Sequence, residues 1–88
     1  MLTPRIVAQF KKDRKKVAKA GKDLKKLEKV MKDLCNQVSL DQKLKDHQLY
    51  HNWGGHRECH VEPDWLMIYK YENDSVVFVR TGSHSELF

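Results

Sequence analysis

Apolar residues recur at helical spacing in the first half of the chain and at strand spacing in the second. Leu24, Leu27, Met31, Leu34 and Val38 advance by three and four residues at a time, and Val30 widens that stripe. The pattern predicts an amphipathic helix, with Asp23 placed to cap its start. Upstream, Phe10 and Val17 lie one heptad apart among Lys and Arg, which predicts a first helix over 10–20. Gly21 then breaks the pattern, so the two helices read as a hairpin. Residues 3–9 suit a short opening strand with Pro4 at its edge or start. Residues 39–55 are polar and irregular. Three strands follow, over about 56–61, 64–71 and 75–81, separated by Glu62-Pro63 and Asn73-Asp74 turns. The expected architecture is one α+β domain over residues 1–88: an N-terminal strand, a helical hairpin and a three-stranded antiparallel meander, with the helices on one sheet face.

Two-residue turns fix an expected register. Ile68 would pair with Val79, Met67 with Arg80, Cys59 with Leu66 and His60 with Trp65. Side chains alternate between faces. One face would hold Cys59, Val61, Leu66, Ile68, Val77 and Val79, apolar enough to receive the helices. The other would hold Glu58, His60, Trp65, Met67, Tyr69, Phe78 and Arg80. On that second face His60 and Arg80 flank the central strand with Cα atoms ~12 Å apart, from strand spacings of ~4.8 Å and a two-residue offset. A one-residue slip in a strand would exchange its faces.

Charge sharpens the picture. Residues 11–32 hold eleven Lys/Arg and three Asp/Glu, whereas the other 66 residues hold six and nine. Such a one-sided basic surface points to a polyanion partner as much as to a solvated helix face. A chain of 88 residues buries little more than ~60 % of its unfolded surface, so a shallow cleft is expected rather than a deep cavity. No apolar run approaches the ~20 residues of a membrane span. The N-terminal stretch has no apolar segment ahead of its Lys/Arg cluster, so it does not read as a secretory signal. Cys35 and Cys59 alone make no disulfide framework, and two reduced thiols in a cytoplasmic protein is the expectation.

The chemistry is concentrated after residue 56. His60, Asp64 and Trp65 surround a turn, and Arg80, His84 and Phe88 follow. Cleaving RNA through the neighbouring 2′-OH requires a base, an acid and a cation for the developing charge. Imidazole serves the first two because its reference pKa is ~6.5. The planar guanidinium fork of Arg80 suits a phosphate. Trp65 and Phe88 are candidates to stack on unpaired bases, worth ~1–3 kcal/mol each. The competing structural readings are a half-buried strand residue for His60, a turn residue for Asp64, an ion pair with Glu58 for Arg80, and core for Trp65. His47, His51, His56, Cys59 and His60 are dense in potential ligands, but their spacing matches no zinc pattern, so no metal or cofactor is expected. His51 and His56 are taken as surface residues.

The combination Asp46-His47, Leu49, Trp53, Gly55, Arg57-Glu58-Cys59-His60, Glu62-Pro63-Asp64-Trp65-Leu66, Ile68-Tyr69, Arg80-Thr81-Gly82, His84 and Leu87-Phe88 resembles the YafQ branch of the RelE/ParE superfamily of bacterial type II toxins. The resemblance covers about the last half of the chain; the first half matches only in its strand and two-helix layout. It implies a ribosome-dependent, metal-independent endoribonuclease that cuts translated mRNA in the ribosomal A site, and a cognate antitoxin that silences it. Operator DNA would be met only through that antitoxin. The family's catalytic positions carry over to His47, His60, Asp64 and His84, phosphate binding to Arg80, and substrate contact to Trp65 and Phe88. His84 is the expected acid and His60 or Asp64 the base, with His47 supporting; acid and base are exchangeable at this level. Family members often carry a small residue where this chain has Tyr50-His51-Asn52, which bears on loop shape and codon preference. Lys11, Lys12, Lys15, Lys16, Lys19 and Lys22 would supply electrostatic contact with ribosomal RNA. The alternative is a ParE-like inhibitor that binds a protein target on the same fold without cutting RNA.

Overall fold

The computed structural model describes residues 1–88. β1 (Thr3–Ile6) leads into α1 (Ala8–Lys19) and α2 (Leu24–Cys35); β2 (His47–Gln48), β3 (Arg57–Glu62), β4 (Trp65–Glu72) and β5 (Ser75–Gly82) follow, and α3 (His84–Leu87) is the last element. The sheet has five strands in the order β1-β5-β4-β3-β2. β1 runs parallel to β5, while the β2–β3, β3–β4 and β4–β5 pairs are antiparallel. The opening strand therefore joins the edge of the meander, a placement the hydrophobic pattern leaves undetermined. β2 is an additional strand within a region expected to be irregular. α3 is a further single turn, announced by Ser83 and Glu86 three residues apart.

Both long helices end in the same way. Lys22 N–H donates to the Val17 carbonyl (3.1 Å) and Gly21 N–H to that of Ala18 (3.0 Å), with Gly21 at φ +88°. After α2, Val38 N–H reaches Asp33 (2.9 Å) and Gln37 N–H reaches Leu34 (3.1 Å), with Gln37 at φ +59°. These are Schellman closures. They explain why Val38 continues the apolar stripe without belonging to the helix: it follows the left-handed residue, where an apolar side chain is common. Asp23 caps α2 as expected, its Oδ1 accepting from Lys25 N–H at 3.0 Å.

The principal core lies between the helices and the sheet. It joins Phe10, Val17, Leu27, Val30 and Leu34 to Cys59, Val61, Trp65, Met67, Tyr69, Val76 and Phe78. This overturns the expected faces of β4 and β5: Trp65, Met67, Tyr69 and Phe78 face the helices, whereas Leu66 and Ile68 face the other way with Val79. Two bulges cause the exchange. The β3–β4 register shifts between His60 and Glu62, and the β4–β5 register between Ile68 and Tyr69. The observed pairs are Cys59–Met67, His60–Leu66, Ile68–Arg80 and Met67–Thr81. Each extra residue moves β4 by one against a neighbour, which inverts its faces relative to the flanking strands. Because the slip occurs on both sides of β4, His60 and Arg80 keep their mutual offset and still share a face. That second face is not bare. Leu66, Ile68 and Leu87 form a small second core, flanked by Leu49, Trp53 and Val79.

Candidate active site

The second face carries a row of four Cα partners across four strands: His47, Glu58, Ile68 and Arg80. One step along lie His60, Leu66 and Gly82. α3 closes the end of this face, anchored by buried Leu87. The side chains that gather here are ionisable groups over a small apolar floor.

Glu58 is the centre of one cluster. It is only 5 % exposed, yet its Oε1 lies 3.2 Å from His60 Nε2 and 3.7 Å from His47 Nε2. The other nitrogen of each ring faces a backbone carbonyl. His47 Nδ1 donates to Lys45 O at 2.6 Å, and His60 Nδ1 to Pro63 O at 3.2 Å. Each ring is thereby fixed at Nδ1 with its Nε2 turned toward Glu58, and the ring centroids lie 6.5 Å apart. Strand alternation brings Glu58 and His60 together, being two residues apart on β3. His47 joins them only because β2 adds to the outer edge of β3.

α3 brings a second cluster. Asp64, in the β3–β4 turn, accepts the backbone N–H of His84 at 3.1 Å. Ser83 and Glu86 form a capping box: Glu86 Oε1 accepts from Ser83 N–H at 2.9 Å, and Ser83 Oγ from Glu86 N–H at 3.4 Å. The ionised Lys16 ammonium 2.6 Å away and the Ser83 groups hold the Glu86 carboxyl down at about 2. The result is an exposed His84 whose ring lies 5.1 Å from that of Phe88. Phe88, 51 % exposed, also meets Trp53 edge-on at 6.3 Å.

Arg80 is held from a third direction. Its Nε donates to Asp13 Oδ2 at 2.7 Å and its Nη2 to Asp13 Oδ1 at 3.4 Å. Asp13 is itself buried and also accepts from Thr81 N–H (3.2 Å) and Gln9 Nε2 (3.0 Å). Arg80 thus pairs with α1, not with Glu58 across the sheet. Asp13 lies three residues after Phe10 and four before Val17, so it is the one acid on the buried stripe of a lysine-rich helix. That position is the signal in the sequence.

Trp65 corrects an expectation. It is 1 % exposed, within the helix-side core, and its Nε1 donates to Thr81 Oγ1 at 2.9 Å. The β3–β4 slip puts it there, so it has no face to offer a base. Trp53, from the loop before β3, is the tryptophan beside Phe88. On the same helix side, Asp46 accepts from Tyr69 OH and from Arg57 Nε (3.3 Å). Burial, and then the Asp46 carboxylate, push the Tyr69 phenol far up.

A family model described as the bacterial toxin of type II toxin–antitoxin systems, YafQ, matches residues 2–88. The chain belongs to the YafQ toxin family. The mRNA interferase toxin YafQ of Escherichia coli strain B/BL21-DE3 is 46 % identical over 81 residues, 91 % of this chain and 88 % of that protein. In the crystal structure of the E. coli DinJ–YafQ complex, the matched chain is 42 % identical with a TM-score of 0.91, covering 100 % of this chain and 99 % of that one. A metal-bound toxin from Helicobacter pylori is 43 % identical with a TM-score of 0.93, covering 100 % of both chains. In this family member no group of three His, Cys, Asp or Glu side chains is arranged to hold a metal ion. His47 and His60 instead converge on one Glu58 oxygen.

The six lysines expected to meet RNA are all exposed, but they are not equivalent. Lys16 pairs with Glu86 and Lys22 with Glu62. Lys11, Lys12, Lys15 and Lys19 have no carboxylate within 4.0 Å. No helix is long and apolar enough to cross a membrane.

Proposed function

We propose that this toxin is a ribosome-dependent endoribonuclease that cuts translated mRNA in the cytoplasm by attack of the 2′-OH on the adjacent phosphate. The observation that carries the reading is the gathering of His47, Glu58, His60 and Arg80 on one sheet face, with His84 and Asp64 at its end. The new bond joins O2′ to phosphorus and the bond to O5′ breaks, leaving a cyclic phosphate and a free 5′-hydroxyl. His84 is the acid that protonates O5′. His60 or Asp64 takes the O2′ proton, and Glu58 with His47 holds the His60 ring in place. Each positioned transfer contributes ~10²–10⁴-fold. Arg80 binds the scissile phosphate with the N–H groups that Asp13 leaves unused. Phe88 and Trp53 offer aromatic surface to unpaired bases. No step is routed through a metal ion. The free lysines of α1 add salt-dependent attraction to ribosomal RNA. A cognate antitoxin, the counterpart of DinJ in the related complex, silences the toxin and brings it to operator DNA only indirectly.

The test maps 5′ ends on a defined message incubated with purified protein, with and without translating ribosomes, with EDTA in the ribosome-free arm. The expected result is cuts within the reading frame that need ribosomes and disappear in His84→Ala. A folded, toxic protein that cuts in neither arm would point to the ParE-like inhibitor instead.

A further inference from the structure

Beyond the end of β3 the active face runs into a second depression. It lies between the 3-10 turn at Gln42–Leu44 and residues 60–63, with a volume of about 370 Å³. Lys26, Lys43, Lys45, His60, Glu62 and Pro63 are among its walls. His60 belongs to both places: its Nε2 faces Glu58, and its ring also lines the cleft.

The cleft is basic, and its one carboxylate is already occupied. Glu62 accepts from Lys26 at 2.8 Å and Lys22 at 3.2 Å, and these ammonium groups hold its carboxyl below the ordinary range. Lys43 and Lys45 have no carboxylate within ion-pair distance. Their backbone is nonetheless well defined. Asp41 Oδ1 accepts Lys43 N–H at 3.0 Å, and Lys45 N–H donates to Gln42 O at 3.0 Å. Lys45 stands at φ +51°, and its carbonyl holds the His47 ring. Two unpaired cations on a fixed turn, one bonded through its backbone to a site imidazole, suit an anion continuous with whatever occupies the site. Leu44, Val61 and Pro63 give the same cleft apolar wall for a sugar or base.

We propose that Lys43 and Lys45 form a subsite for a phosphodiester of the message strand flanking the scissile group, so that the RNA passes from Arg80 over His60 into this cleft. The proposal rests on the ribonuclease reading above. Its test uses ribosomes programmed with a message 2′-O-methylated across the A-site codon, which cannot be cut, alongside empty ribosomes. Wild type, K43Q/K45Q and K11Q/K12Q proteins are compared across salt concentrations, with thermal unfolding confirming that all are folded. The expected result is that K43Q/K45Q loses the preference for programmed over empty ribosomes. Its salt slope on programmed ribosomes should become shallower by ~0.7, the share of one single-strand phosphate contact. K11Q/K12Q should keep the preference. Two results overturn the subsite: an unchanged preference and slope in K43Q/K45Q, or an equal loss on empty ribosomes, which would put these lysines against ribosomal RNA. A wild type that cuts no translated message would instead take down the ribonuclease reading, and the subsite with it.

Discussion

Asp13 and Glu58 are two buried carboxylates that each hold a cationic or protonatable side chain in place, and they invite opposite substitutions. Asp13→Ala leaves the Arg80 guanidinium and the Thr81 N–H without their acceptor. Removing one partner of a buried pair costs ~3–5 kcal/mol, and the 28 % exposure of the Arg80 side chain puts this case at the lower end. Urea denaturation should show that loss; a midpoint like that of wild type would mean the pair contributes nothing. Glu58→Gln keeps the shape and an acceptor oxygen but removes the charge between His47 and His60. Message cleavage should fall about ten- to a hundred-fold, part of what a positioned acid–base group supplies, with thermal stability nearly retained. Unchanged cleavage would reduce Glu58 to packing. At this scale the sequence singles out His60, Arg80, His84 and Phe88, because their chemistry is unusual for a strand or a terminus, and it puts His60 and Arg80 on one sheet face, as the structure does. It misled at Trp65, whose chemistry suits both a base and a core, and only burial distinguishes the two.

Among the elements, α3 is the one whose integrity should depend on acid. The Glu86 carboxyl is held at about 2, against an ordinary value of 4.5. The folded state therefore binds fewer protons than the unfolded state between those values. The contribution of Glu86 is complete above about pH 4.5 and drains away as pH falls towards 2. The protection of the His84 and Phe88 amides, relative to their intrinsic exchange rates, should fall over that interval before that of the β4 amides; a uniform fall would show that α3 has no separate acid sensitivity. Ser83→Ala should weaken the same turn by about 1 kcal/mol at neutral pH, the usual cost of an N-cap. The long helices were readable from their periodicity, and α3 had a capping signature in plain view. The bulges had none. An extra residue in β3 or β5 alters no local propensity; it shows only in which partner each residue meets.

For the molecule as a whole, the two cysteines report on global opening. Cys59 is fully buried in the main core, and burial pushes its thiol up to about 12; Cys35, in the same core, is also raised by burial. Alkylation at neutral pH should therefore be negligible in the native protein and should modify both thiols once urea unfolds it; rapid labelling of Cys59 under native conditions would mean the sheet opens locally. The α+β class, the helical hairpin, the meander and the concentration of acid–base residues near the C-terminal end are all written in short-range patterns, since period, breakers and residue chemistry are local properties. Three things are not local: the parallel docking of β1 on β5, the addition of β2 that carries His47 to Glu58, and the reach of Asp13 from α1 to Arg80. Each joins residues from separate elements, and their pairing follows from how the helices and strands pack together. The face of β4 belongs with them. Both of its faces are apolar, so hydrophobicity alone could not choose between them, and the two bulges made the choice by setting its register against β3 and β5.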